Sequence, residues 1–530
     1  MNKSPRSQKR AAEELVLLDP DQRAATQRSS IKNYRVSNHL VYVSAIVEKA
    51  LFFLTYGWIY FQVGLYLDIF CNKNNFNCSV SEKKSSLSRM GSFTFVMCIA
   101  CNLSYPMMAD FNPKVLYNIA KLVFAAGFVL FSFGSLSWML VGRLLMGGFG
   151  EFCHVTGHWM LYQIALPQHK EIAVSFMVTM GAVASVGLTF LSSIDGGGLW
   201  TWRFVNASPA ALLVFLVFMD ITLLNKVNGF NFLQTKMDRE GVVNQLSTFY
   251  ERKTAERVLD EFNMAKAEEG QVELELDLGN EESSKTEEFP APKKKPMPII
   301  EKFSASSWEV INSSIMGFLC ILAFSDMMIT GGVYFGSHRL ENQLEVTQSK
   351  QALFYGSIGF LVTSICVPIF NLSKKRKLFM LGSQLSCSLC ILLCAYGYYT
   401  EKLWISRMTL IPLAALNGFL YNAFWLYCAD LCPPELISIP VACMRLTLAA
   451  ILYIYPYYFD FEKSSKHRIF WRLIISAGIS LVSFGLTCFL MIETDGLTKE
   501  EVYMKLRGIV NTRRSGVQDG DERAKNTLFK

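Results

Sequence analysis

Twelve apolar runs divide this chain, roughly at 41–67, 87–108, 115–137, 138–165, 172–194, 203–224, 311–335, 352–371, 377–399, 404–428, 438–459 and 468–491. Each is near the ~20 residues that an α-helix needs to cross the hydrocarbon core of a bilayer. Hydrocarbon offers no water to the backbone, so spans of this length must satisfy their own N–H and C=O groups as helices. The overall balance agrees: 51% of the 530 residues are hydrophobic and only 18% are charged, with a mean hydropathy of +0.27. A water-soluble enzyme of this length would be unusually greasy. The expected fold class is an all-α membrane protein with twelve transmembrane helices in a 6+6 arrangement.

One long polar stretch separates the two sets of six. It carries "ERKTAERVLDEFNMAKAEEG" from Glu251, which has helical periodicity, and then the acidic "QVELELDLGNEESSKTEEFPAPKKKP". Like-charge blocks and prolines there predict a disordered tether. The predicted organisation is a cytoplasmic N-terminal arm (1–40), a six-helix half (41–224), a cytoplasmic linker that is partly helical and partly disordered (225–308), a second six-helix half (309–492) and a cytoplasmic tail (493–530). The orientation follows from the positive-inside rule, because the arm carries eight Lys or Arg, the linker twelve and the tail eight. The arm mixes Glu13, Glu14, Asp19 and Asp21 with its basic residues and lacks an apolar core. It matches neither a cleaved signal nor an acid-poor transit peptide, so the first run is expected to direct insertion. Whether the host is the plasma membrane or an organelle membrane is left open.

Of fourteen cysteines, Cys71 and Cys78 alone fall in an outward loop, where a disulfide between them is a candidate; the same loop holds Asn77 in an "NCS" glycosylation pattern. Most others lie within apolar runs as small packing residues. No zinc-type cysteine pair stands in a polar loop.

The fourth run reads "GRLLMGGFGEFCHVTGHWMLYQIALPQHK" from Gly142 to Lys170 and carries Glu151, His154 and His158 at i, i+3 and i+7, along one helical face. An ionisable residue at bilayer depth costs roughly 2.5–3.5 kcal/mol on insertion scales unless it meets a polar interior. Four readings follow: a cavity lining in which Glu151 meets substrate or a proton, a polar contact to a neighbouring helix, an interfacial position, and a metal site, for which no further ligands are found. Asp326 and Arg445 stand inside the seventh and eleventh runs, where each needs a partner or an aqueous cavity, with snorkelling as the alternative for Arg445. Glu151 and Arg445 are expected to reach the same water-filled space and, if they face each other, to offset part of each other's desolvation and set the charge preference together. Gln62, Asn417, Asn422, Trp425 and Tyr427 complete a candidate cavity set, with ordinary packing as the alternative for the aromatics. Glu48 and Lys49, near the start of the first run, are expected at the interface.

Two halves of six helices around a cytoplasmic loop are similar to a major-facilitator secondary transporter, with its site at the midplane between the halves. The fourth run and its loop resemble the organic cation, anion and zwitterion transporter family in Gly142, Arg143, Gly147, Thr156, Pro167 and His169. "MMADFNPK" at 107, "TWRFV" at 201, "YCADLCPPELIS" at 427 and "ETDGLTKEEV" at 493 resemble its other signatures in order and spacing, and the sugar-porter family shares the last. The resemblance implies a solute carrier for a small organic ion, with a cavity lined by the fourth run, and gating positions at Asp110, Lys114, Arg143, Gln163, Lys170 and Asp430. The inner-face ion pairs of that family are thinned here: its Glu and Arg become Gln163 and Lys170 on the fourth helix, and Asp430 and Ile437 on the tenth. A sugar-porter-type carrier and a membrane scaffold or sensor that no longer transports are the alternatives.

No phosphate-cradling loop, metalloprotease motif or nucleophile triad is present, so neither an enzyme nor a cofactor is expected. The net charge of +7 gathers in the termini and in "KKRK" at 374, where topology explains it without nucleic acid. The expected partners are a small organic solute, a coupling ion such as a proton, and lipid.

Overall fold

The computed structural model describes residues 35–73, 80–108, 111–133, 135–166, 199–225, 239–260, 307–337, 376–432, 436–458 and 466–494, with isolated residues elsewhere. Side chains at some helical positions also lie outside the description. The helices are α1 (His39–Lys73), α2 (Val80–Ser104), α3 (Pro113–Ser132), α4 (Leu136–Ile164), α5 (Leu199–Thr222), α6 (Arg239–Leu246), α7 (Ser307–Ser337), α8 (Arg376–Tyr399), α9 (Leu403–Leu431), α10 (Ser438–Tyr458) and α11 (Lys466–Leu490). Ten of them coincide with ten of the predicted runs. The other two runs, at 172–194 and 352–371, lie largely outside the described residues, as do Asn77, Cys78, Asp110 and Lys170 and the side chains of Cys71, Gln62, Asp326, Asn417, Asn422 and Asp430.

Local sequence starts and stops these helices. Asn112 accepts hydrogen bonds from the Lys114 and Val115 N–H groups and Pro113 occupies the first turn of α3, where its missing N–H costs nothing. Ser135 caps α4 through the Trp138 N–H. Pro209 in α5 and Pro412 in α9 are interior prolines of the kind that membrane helices tolerate when neighbours satisfy the freed carbonyl. Among the described residues, five helices are long and apolar enough to cross a membrane: His39–Ile59, Pro113–Ser132, Arg203–Thr222, Lys377–Tyr399 and His467–Leu490. Phe204, Val214, Phe215, Phe218, Val482, Leu486 and Phe489 are exposed along α5 and α11. A surface this apolar suits lipid, not water.

Two bundles result. In the first, α3 packs on α4 and α5, α2 on α4, and α1 on α2, α4 and α5; in the second, α7 packs on α8, α9, α10 and α11, and α8 on α9 and α11. The bundles meet chiefly where α2 lies against α10. The α2–α4 crossing is close because Gly147 has no side chain: a Cβ there would stand 2.1 Å from the Thr94 carbonyl oxygen.

The first part of the linker is folded onto the first bundle. Val242, Val243 and Leu246 of α6, with Phe249, Tyr250, Ala255 and Leu259, bury against Val41, Tyr42 and Ala45 of α1 and Met160, Ile164 and Leu166 at the end of α4. Val36 of the arm forms an antiparallel bridge with Tyr250, and Ser37 N–H donates to the Phe249 carbonyl at 2.9 Å. The Tyr250 hydroxyl donates to the Ile164 carbonyl, one of the acceptors that the end of α4 leaves open. Burial pushes the Tyr250 phenol well above its ordinary pKa.

Candidate functional site

The fourth run folds as expected into one continuous helix, and Glu151 stands at its middle, wholly buried. Its partner comes from the other bundle: Arg445 Nε of α10 donates to Glu151 Oε1 at 2.9 Å. Both side chains are almost fully withdrawn from solvent, at 2% and 0% exposure, so snorkelling does not describe Arg445. A second Arg445 nitrogen donates to the Tyr56 hydroxyl at 2.9 Å, and that hydroxyl donates to Glu151 Oε2. Asn102 Nδ2 of α2 approaches Glu151 Oε1 at 3.4 Å. Four helices, α1, α2, α4 and α10, therefore converge on one carboxylate. The charges offset each other's desolvation, which alone would cost several kcal/mol per ion.

The histidines extend this centre. His154 lies 3.6 Å from Glu151 Oε1 through its Nδ1 and stacks on Tyr56 with ring centres 4.6 Å apart and planes 8° from parallel. His158 stacks on Trp425 of α9 at 4.4 Å and 3°, and Phe53 meets both imidazoles at 4.9 and 4.7 Å. Among the described residues, His158 Nε2 is buried without a hydrogen-bond partner. Of the predicted cavity set, Glu151, His154, His158, Trp425 and Arg445 come together. Tyr427 does not join them: its hydroxyl donates to Asn312 Oδ1 at 2.7 Å and accepts from the Ile492 N–H, because its helix turns that position toward α7.

The gating positions separate in the same way. Arg143 donates to the Ile59 carbonyl at 2.9 Å, and the Lys114 ammonium reaches the Leu224 carbonyl at the end of α5. Gln163 is half-buried and Ile437 is packed in the core. His169, in the loop after α4, stands 3.1 Å from the Tyr42 hydroxyl, and its burial lowers its pKa. Among the described residues no group of three His, Cys, Asp or Glu stands together as a metal site would require.

Sequence reasoning missed a second buried charge centre. Glu48 and Lys49, expected at the interface, are 0% and 2% exposed, because α3 and α5 cover that face of α1. Lys121 of α3 binds Glu48 Oε1 at 2.8 Å and Asp220 Oδ2 of α5 at 2.5 Å. Lys49 contacts Glu48 and stands 4.0 Å from Asp220. A lysine inside the third run and an aspartate inside the sixth were the available signals.

Comparison with known proteins now decides the family, since the Major Facilitator Superfamily model matches residues 40–454. The chain belongs to the major facilitator superfamily. It is thus an integral, multi-pass membrane protein of a transporter family and not an enzyme. No curated protein matches it significantly. Among solved structures it is similar to the proton:xylose symporter XylE bound to 6-bromo-6-deoxy-D-glucose, at 13% identity and a TM-score of 0.70 over 88% of this chain and 100% of that one. It is similar also to inward-open XylE from E. coli, at 13% identity and a TM-score of 0.60 over 87% and 99%, and to the partially occluded inward-open form, at 12% and 0.58 over 85% and 100%. Identities this low establish the fold alone.

Proposed function

We propose that this major-facilitator protein moves a small organic ion across its membrane by alternating access, with the Glu151–Arg445 pair at the centre of the substrate site. The observation that carries the reading is that one buried ion pair joins the two bundles, at 2.9 Å, in the middle of the apolar core. A substrate entering between the bundles must compete with that pair, so it needs charge of its own. Stacked Tyr56, His154, His158 and Trp425 offer aromatic faces beside the charges, and such walls with few polar groups suit amphipathic organic ions. The His158 Nε2 atom supplies a polar contact without a competing partner among the described residues.

A sugar carrier is the second reading, favoured by the likeness to XylE structures. Uptake by the purified protein in proteoliposomes, screened over organic cations, organic anions and sugars, separates the two. Saturable uptake of an organic ion is expected. Saturable uptake of a pentose or hexose would replace this reading with the second, and no uptake of any class would leave a scaffold or sensor.

A further inference from the structure

The buried charges of α1, α3 and α5 lie outside the central site, and their arrangement is informative. Glu48, Lys49, Lys121 and Asp220 sum to zero charge, and their side chains are at most 3% exposed. Both ammonium groups also lie over the Tyr117 ring, 4.2 and 4.3 Å from its centre. Such a cluster is a poor source of stability, because apolar residues of similar volume often hold a core as well or better. What it does that apolar residues do not is discriminate position. Glu48 and Lys49 are adjacent and opposite in sign, with Val47 before them, so a one-residue slip of α1 would bring either an ammonium or an apolar side chain where Lys121 now meets a carboxylate.

The same slip would disable the central pair. One residue of helix is 1.5 Å of rise and 100° of turn, enough to take the Tyr56 hydroxyl away from Glu151 and Arg445. Lys49 and Tyr56 are seven residues apart, on one face of α1. Phe52, between them, packs on Tyr117 at 5.9 Å and stacks on Tyr56 at 6.1 Å. A continuous contact path therefore runs from the four charges to the hydroxyl. We propose that Glu48, Lys49, Lys121 and Asp220 are positioning residues that fix the register of α1 and thereby hold Tyr56 between Glu151 and Arg445. Their importance for transport rests on the function proposed above, but the placement of Tyr56 does not.

The test reads that placement without measuring transport. Cys98 of α2 is 1% exposed and its thiol donates to the Gly147 carbonyl; it lies between Phe95, under the Arg445 guanidinium, and Asn102, which donates to Glu151. Cys387 of α8 is 0% exposed in the other bundle and reports general unfolding. The full-length protein is treated with N-ethylmaleimide and both cysteines are followed by peptide mass spectrometry. Exchanging the order of the two charges, Glu48→Lys with Lys49→Glu, keeps composition and net charge but should raise Cys98 labelling about tenfold with Cys387 still protected, as for a local opening. Tyr56→Phe should do the same. Reversing all four charges together should restore protection of Cys98. If the exchanged pair fails to accumulate, Lys121→Gln carries the same expectation. The proposal is overturned if Cys98 stays protected in these variants, or if Cys98 and Cys387 become reactive together.

Discussion

At the scale of single residues, the central carboxylate and guanidinium are interdependent. Arg445→Gln leaves Glu151 charged, buried and short of its main partner, and breaking one side of such a pair costs about 3–5 kcal/mol. Arg445→Gln should therefore lower the thermal unfolding midpoint in detergent, while Arg445→Gln with Glu151→Gln should recover most of that loss. In uptake assays Glu151→Gln should shift preference toward anions and Arg445→Gln toward cations, with the double variant close to the starting ratio. An unchanged anion-to-cation ratio in both single variants, with normal surface expression, would make the pair structural. In the loop after α4, His169 Nδ1 pairs with the Tyr42 hydroxyl, whose oxygen takes the Leu166 N–H at 3.2 Å. Because burial depresses the His169 pKa, its contribution to stability is present above the ordinary value of about 6.5 and is lost as pH falls below it. The ring is only part-buried, so the effect is small. The midpoint of the native protein should fall more between pH 7.5 and 5.5 than that of His169→Gln.

Among the helices, backbone approach matters as much as side-chain chemistry. At Gly147 the added Cβ of an alanine would run into the Thr94 carbonyl, 2.1 Å away, and neither backbone can yield without separating α2 from α4. Both helices supply Glu151 or its partners, so Gly147→Ala should cost both stability and uptake. Gly382 in α8 is the control, since nothing lies within 4 Å of its Cβ position. There the gain in helix propensity, about 0.5–1 kcal/mol, should leave Gly382→Ala unchanged or slightly more stable in thermal melts. The folded start of the linker makes a comparable expectation. Tyr250→Phe leaves the Ile164 carbonyl at the end of α4 unbonded and should cost about 1–3 kcal/mol; an unfolding midpoint equal to that of the native protein would show that water replaces the phenol.

For the whole molecule, the central question is which parts move together. The arm residues 35–38 and linker residues 239–259 attach to the first bundle alone among the described contacts, so under the proposed alternating access they should travel with it. Deleting 239–260 uncovers Val41, Tyr42, Met160 and Ile164 and should lower expression and melting temperature together, as measured by fluorescence-detected gel filtration. The apolar runs made the ten described helices that coincide with them, their order and the membrane legible in the sequence, because a spanning segment must satisfy its backbone within itself and so announces itself by length and composition alone. Glu151, His154, His158 and Arg445 were visible by the same logic, as charges or imidazoles too deep in apolar runs to be incidental. Depth in the helices placed Glu151 and Arg445 in one space, but their contact was only conditional there: they are 294 residues apart, and the packing of α2 on α10 brings the two bundles together around them. Glu48 and Lys49 show the converse error. Their place near the start of a run reads as interfacial, and it became interior because α3 and α5 bring Lys121 and Asp220 over them. Local sequence dictates what a segment can satisfy by itself, whereas the partner of a buried charge is chosen by whichever distant helix packs against it.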